Sequence, residues 1–561
     1  MKVRLKNKGT TVELSKRHFL AQGGEASVYV KDGISYKIYT DRLHMIPLAK
    51  VEELAKISRP EVMRPEDVLL DERGVPVGCS MRFVDNATAL CQVFTLAFKQ
   101  RNGVSIDMIT DMVRNMQEVL VHVHEKDILV VDLNEMNLLA DKSFRKVSWI
   151  DVDSWQTPSF PATAIMDSVR DWNAKSFSDL TDWFSFAVVT FQLWMGIHPY
   201  KGTHPNVKGM VERMRAGLSV FNNGVTIPKM CPPLDSIPDR LRAWYKAVLE
   251  DGKRILPPDA VGISAAIAPK TQILAGSGQI SIAEFLSFER DVIRFLALGP
   301  HRLAFTADGL QMDRTLFKGI KPSAHVGLGP RQQVIVAEVT GGKVELRDLQ
   351  LNKSIDLHMK AESMMAHDGR IYFKSGDHVY EISFLGMPDG SSKASAKPVA
   401  NVMPSATMVL DGVVVQDMLG AWYASVFPLP GRSYQFHLKE LDGWKLVDAK
   451  YDNGILMTVG TKKGSYRRWV FVLQTDFSSY VVREAKDIAS YTGLNFTVLE
   501  SGICAHIDEE ERLELFQNKP GGSQTKIIDD PAVPSGRMLC RCGTNVLFAQ
   551  GSKLYKLSTR K

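Results

Sequence analysis

The chain has 561 residues, 45% of them hydrophobic and 24% charged, ample material for two or more packed cores. A net charge of +6 is mild for this length. The basic residues are scattered, with no Lys/Arg run interleaved with aromatics, so nothing points to a nucleic-acid partner.

In chain order, the first segments are strand-like. Residues 1–8 (MKVRLKNK) carry no secretory signal and lead straight into polar strand-like sequence. Residues 20–29 set small side chains at Ala21, Gly23, Gly24 and Ala26, followed by Val28. Such a turn lets backbone N–H groups approach a ligand closely, although glycine pairs more often mark ordinary hairpins. Residues 35–39 read as a strand carrying Lys37, and residues 48–57 as a helix carrying Glu52 and Glu53. The apolar periodicity does not fix which of these glutamates faces inward. Residues 78–84, with Met81 and Phe83, form another predicted strand. His122 and His124 are read as structural residues on a later helix.

Next come Asp132, Asn134 and Asn137, then a short hairpin and Asp151-Val152-Asp153. The run from 181 to 200 is strongly apolar, but Gln192, Gly196 and His198-Pro199 interrupt it short of a membrane span. It is predicted to be a buried helix with Asp182 capping backbone N–H groups at its start.

Taken together, these segments resemble the protein-kinase family over about residues 15–258. The nearest pattern is a divergent bacterial group of Ser/Thr kinase-like proteins with a catalytic loop Asp-x-Asn-x-x-Asn. Their metal loop reads Asp-x-Asp-Ser-x-Gln, here residues 151–156. The resemblance implies an α+β two-lobed kinase-like domain over 1–258, with an N-lobe of about 1–84 and a C-lobe of about 85–258. It implies ATP under the loop of Ala21, Gly23, Gly24, Ala26 and Val28, with Lys37 on its phosphates and Glu53 (or Glu52) paired to Lys37. Met81 and Phe83 would meet the adenine edge. Asp132 would be the catalytic base, Asn134 would stand near the γ-phosphate, and Asn137 and Asp151 would hold Mg²⁺. Asp251-Gly252-Lys253-Arg254 resembles the arginine-bearing turn that closes such a domain.

The departures are specific. Val130-Val131 replaces the usual His-Arg, so activation by loop phosphorylation is not expected. Asn134 replaces a common lysine, and Asp153 replaces a glycine, adding negative charge beside the metal loop. Two other readings therefore stay open: a pseudokinase scaffold that binds nucleotide without transfer, and a kinase-fold nucleotidyl transferase.

After a junction over 259–285, the grammar changes to short alternating strands between tight turns. Small-residue–glycine pairs end at Gly369, Gly412, Gly454, Gly502 and Gly543, a spacing of about 40–45 residues that matches four strands per unit. Residues 286–561 are thus expected to form an all-β propeller of six or seven blades, with a terminal strand closing the ring. No catalytic cluster is visible there, so the expected role is docking a protein substrate or partner. On that view, removing this part spares basal ATP turnover. The six cysteines are dispersed, and Cys540-Arg541-Cys542 has no second pair to complete a zinc site. Packed free thiols in a cytoplasmic protein are expected, with no membrane partner.

Overall fold

In a computed structural model of the chain, the described residues are 1–23, 25–41, 45–162, 164–258, 278–313, 315–488, 493–519 and 525–559. Gly24 and most of the sequence-predicted junction lie outside them.

The N-terminal strands alternate. β1 (Lys2–Leu5) buries Val3 and Leu5 and exposes Lys2 and Arg4, as a half-buried strand must. It joins β2 (Thr11–Glu13), β3 (Phe19–Gln22), β4 (Ala26–Lys31), β5 (Ile34–Tyr39), β6 (Asp67–Leu70) and β7 (Pro76–Arg82) in one sheet. The order is β2-β1-β6-β7-β5-β4-β3, and every pairing is antiparallel. Helix α1 (Leu48–Leu54) follows β5 and turns Lys50, Val51 and Leu54 inward.

A second, three-stranded sheet is built from β8 (Thr88–Ala89), β9 (Leu138–Ala140) and β10 (Val147–Trp149). Around it lie α2 (Leu90–Val93), α3 (Leu96–Asn102), α4 (Ile106–His124) and α5 (Asp179–Met195). α4 buries Ile109, Met112, Val113, Met116, Val119, Leu120 and Val123, the one-sided spacing of an amphipathic helix. From Thr181 onward α5 is buried on every face and stops at Gly196, whose φ of 71° is the left-handed conformation glycine accepts. Among the described residues, no helix is long and apolar enough to cross a membrane. Arg254 closes the segment through a two-pronged pair with Asp171, at 2.6 and 2.8 Å.

Among the described residues, the remainder forms seven four-stranded antiparallel sheets. Six are consecutive, over 294–318, 325–355, 363–401, 407–437, 445–488 and 496–528. The last combines three strands within 539–559 with Ile280–Ser287, which pairs along Lys553–Thr559. Residues 280–285, read from sequence as junction, therefore belong to a strand.

The two parts share packing. Cys91 and Met136 belong to one apolar cluster with Val447, Val459 and Val470. Gln92 Nε2 donates to Val447 O (2.8 Å), and Arg101 pairs with Asp448 (3.2 Å).

The sequence-derived fold class, a two-lobed α+β domain followed by an all-β propeller, needs correction. Among the described residues, strands take 41% and helices 16%, so the molecule is mostly β. Two causes are visible. The opening residues add β1 and β2 to the other five strands of the first sheet, making it seven strands wide. The segment expected to be helical is interrupted by long loops, with α1 and α3 only seven residues each and α2 only four.

Candidate functional site

Lys37 lies mid-strand on β5, opposite Val28 of β4 and Cys79 of β7. Gly78 permits the close approach: a Cβ there would sit 2.0 Å from the Lys37 carbonyl oxygen. A buried ammonium without a partner would lose its proton. Here Nζ donates to Asp151 Oδ1 (2.7 Å) and to Asp153 Oδ2 (2.8 Å) and Oδ1 (3.0 Å). Burial works against the Lys37 charge, but the two carboxylates outweigh it and hold its pKa well above the ordinary lysine value. Burial likewise opposes ionisation of Asp153. Lys37, with a hydrogen bond from the Tyr39 hydroxyl, still brings that carboxyl below its usual range. Lys50 Nζ donates to the Asp153 carbonyl at 2.8 Å. Burial pushes the Cys79 thiol up to about 12, so it stays protonated.

The Asp132 loop is held in an uncommon shape. Asp132 N donates to Val130 O (2.7 Å), and Val131 between them has a φ of 62°. This is a tight turn that a β-branched residue adopts only under constraint. Asp182 supplies the constraint from the first turn of α5. Its buried carboxylate accepts from Val130 N (2.7 Å) and Val131 N (2.8 Å) and lies 3.0 Å from His124 Nε2. Asp132 Oδ1 accepts from Met166 N (2.8 Å), and Asn137 Nδ2 reaches its Oδ2 at 3.4 Å. Burial raises the Asp132 carboxyl above its ordinary value, and these hydrogen bonds only partly offset it.

Asn137 and Asp151 sit at the open end of the β9–β10 hairpin. Leu138 pairs with Trp149, and Ile150 N donates to Asn137 O at 2.9 Å. The pairing brings residues distant in sequence side by side. Asp151 itself has a φ of 60°, and its side chain stays 43% exposed, against 12% for Lys37 and 9% for Asp153.

A continuous cavity of about 2820 Å³ is lined by Ala21, Gly23, Ala26, Val28 and Met81, and by Lys37, Asp132, Asn137 and Asp151. It extends to the sheets of 294–559, where Arg294, His325, Asp411 and Lys450 face it. A Cβ at Gly23 would meet only Ala26 O, at 3.7 Å, and its φ is not left-handed. The fold itself thus does not require glycine there.

Three predicted residues are not placed for the expected roles. Glu53 does not meet Lys37; its Oε2 accepts from Ser159 N (3.3 Å), because the inward face of α1 belongs to Lys50, Val51 and Leu54. Asn134 is buried and outside the cavity lining. Its Oδ1 accepts from Met136 N (2.8 Å) and Asn137 N (3.2 Å), so it shapes the loop instead of facing a phosphate. Phe83 lines the cavity, but its N–H is donated to Gly33 O (3.1 Å), which removes it as a donor to an adenine edge. The residues that sequence reasoning missed are Tyr39, Lys50, Met166 and the lysine-pairing role of Asp153. For Lys50 there was a signal: a lysine four residues before Leu54, on the apolar face of a short helix.

No family model matches the chain. Over 199 residues it is 26% identical to a probable serine/threonine-protein kinase of Dictyostelium discoideum, covering 33% of this chain and 14% of that protein. A third of the chain is therefore distantly similar to a protein of that description. The match spans a small part of the relative's length.

Proposed function

We propose that the Lys37–Asp132–Asp151 cleft transfers the γ-phosphoryl group of Mg·ATP to a serine or threonine hydroxyl of a protein. One observation carries this reading: Lys37, Asp132, Asn137 and Asp151, from separate stretches of sequence, line one cavity beside the Gly23 turn. The distant similarity to a probable Ser/Thr kinase supports it. Lys37 supplies a fixed positive charge for the phosphates. Asp132, whose carboxylate is oriented by Met166 N and Asn137, accepts the hydroxyl proton. An amide oxygen and a half-exposed carboxylate, from Asn137 and Asp151, are the oxygen donors Mg²⁺ takes when phosphates and water complete its shell. Catalysis of this kind is mostly positioning and charge neutralisation.

Within this reading, residues 1–258 carry the chemistry and the sheets of 286–561 dock the protein substrate in a cytoplasmic setting. The test uses γ-labelled ATP, Mg²⁺ and a generic protein acceptor. Label should pass to acceptor serine or threonine with the wild-type chain and fall at least about a hundredfold with Asp132→Ala. Equal labelling by both chains sinks the assignment of Asp132. ATP binding with no transfer by either chain favours a nucleotide-binding scaffold.

A further inference from the structure

Lys37 needs a carboxylate partner to point it at phosphates, and no glutamate of α1 supplies one. Both Asp153 carboxylate oxygens lie within 3.0 Å of Lys37 Nζ. The Tyr39 hydroxyl donates to Oδ2, and Lys50 fixes the Asp153 carbonyl from α1 at 2.8 Å. Asp153 is thus held on its side chain and its backbone together. Asp151 also touches Lys37, but its exposed side chain is the one free to turn toward a metal ion.

We propose that Asp153 is the positioning residue for Lys37, taking over from the metal loop the part expected of a carboxylate on α1. The proposal rests on the phosphoryl-transfer reading of the same cleft. It has a structural consequence. Asp151 caps a single 3₁₀ turn, Val152–Ser154, and Asp153 lies within it, so one short loop sets both the metal residue and the aim of the lysine. The lysine is then poised without any movement of α1, whose inward cation, Lys50, secures that loop instead.

The test is a double-mutant cycle on the full chain, read as affinity for a fluorescent ATP analogue with Mg²⁺. Lys37→Met and Asp153→Asn should each weaken binding about tenfold, and the double variant should be no weaker than Lys37→Met alone, because Asp153 acts through the lysine. A purely structural role would make the losses multiply. That result, or an Asp153→Asn chain that binds like wild type, overturns the proposal. Thermal melts accompany the cycle. If Asp153→Asn fails to fold, Tyr39→Phe takes its place, with a loss of about two- to fivefold that vanishes in the Lys37→Met background; additivity there overturns the proposal equally. A wild-type chain that binds no nucleotide sinks both this proposal and the phosphoryl-transfer reading. One that binds, with multiplying losses, sinks this proposal alone.

Discussion

In two hairpins of the C-terminal sheets, left-handed backbone falls on residues that accept it. Asp368-Gly369 has φ of 49° and 75°, and Asn453-Gly454 has 37° and 86°. Each pair fills a two-residue hairpin, between His367 and Arg370 and between Asp452 and Ile455. Such hairpins turn with the natural twist of the strands they join. In the cleft, the same conformation falls on Val131 and Asp151, at 62° and 60°. At the β-branched Val131 it costs about 1–3 kcal/mol, and surrounding structure has to hold it. The hairpins are stable because of their own sequence. The cleft is stable because of Asp182, Lys37 and Lys50, each distant in the chain from the residue it holds. Strain kept by remote contacts marks the place where geometry matters more than local stability.

Removing the remote contact should therefore have the largest effect. Asp182→Ala leaves two buried N–H groups, on Val130 and Val131, without their acceptor. The expected cost is about 2–6 kcal/mol, since each of the two orphaned donors costs about 1–3. Denaturant unfolding should show it, along with loss of any Asp132-dependent transfer. A cost below about 1 kcal/mol would break the contrast.

A local lesion in the sheets should be milder and confined. Gly454→Val puts a β-branched residue at a φ of 86° and should cost about 1–2 kcal/mol. Nucleotide affinity should not change. A parallel loss of affinity would show that the hairpins also support the cleft.

The smallest effect probes the seam between the two regions. Glu135, in the same loop as Asp132, is buried and accepts from the Tyr466 hydroxyl at 2.5 Å, and Lys445 reaches Met136 O at 3.2 Å. Burial raises the Glu135 carboxyl above its usual range, only partly countered by Tyr466. The folded state thus binds this proton more tightly than the unfolded chain does. Its contribution to stability is complete below the ordinary glutamate pKa of about 4.3 and is lost as pH rises through the raised value. Glu135→Gln should flatten that decline in melting temperature by a few degrees between mildly acid and neutral pH. An unchanged pH slope would mean that Glu135 does not titrate in this window. The seam also revises an expectation. With Tyr466 on the Asp132 loop and Val447 against Cys91, removing the sheets exposes apolar surface of the first region. ATP turnover should then fall together with substrate phosphorylation.

These contrasts explain what was legible in the sequence. Asp-Gly and Asn-Gly turns could be read because local preference and structure agree. The spacing of Asp132, Asn137 and Asp151 could be read because a short hairpin fixes it. The partner of Lys37 could not. α1 is too short to fix its own phase, and the placement of Asp153 depends on a left-handed Asp151 that no propensity signals. Asn134 turned inward because the loop needed an acceptor for Met136 N and Asn137 N more than the cleft needed an amide. The opening residues read as strand-like, but their place in the first sheet did not show, because β1 pairs with β6, more than fifty residues away, and β2 joins the sheet only through β1.

The most direct measurement is intact-protein mass after incubation of the full chain and a generic acceptor with Mg·ATP, beside Asp132→Ala. The account predicts a gain of about 80 Da, one phosphoryl group, on the chain or the acceptor, absent from the variant. A gain of about 329 Da would mean that the nucleotidyl part of ATP is transferred instead. That gain, or no gain despite bound ATP, would contradict phosphoryl transfer at this cleft.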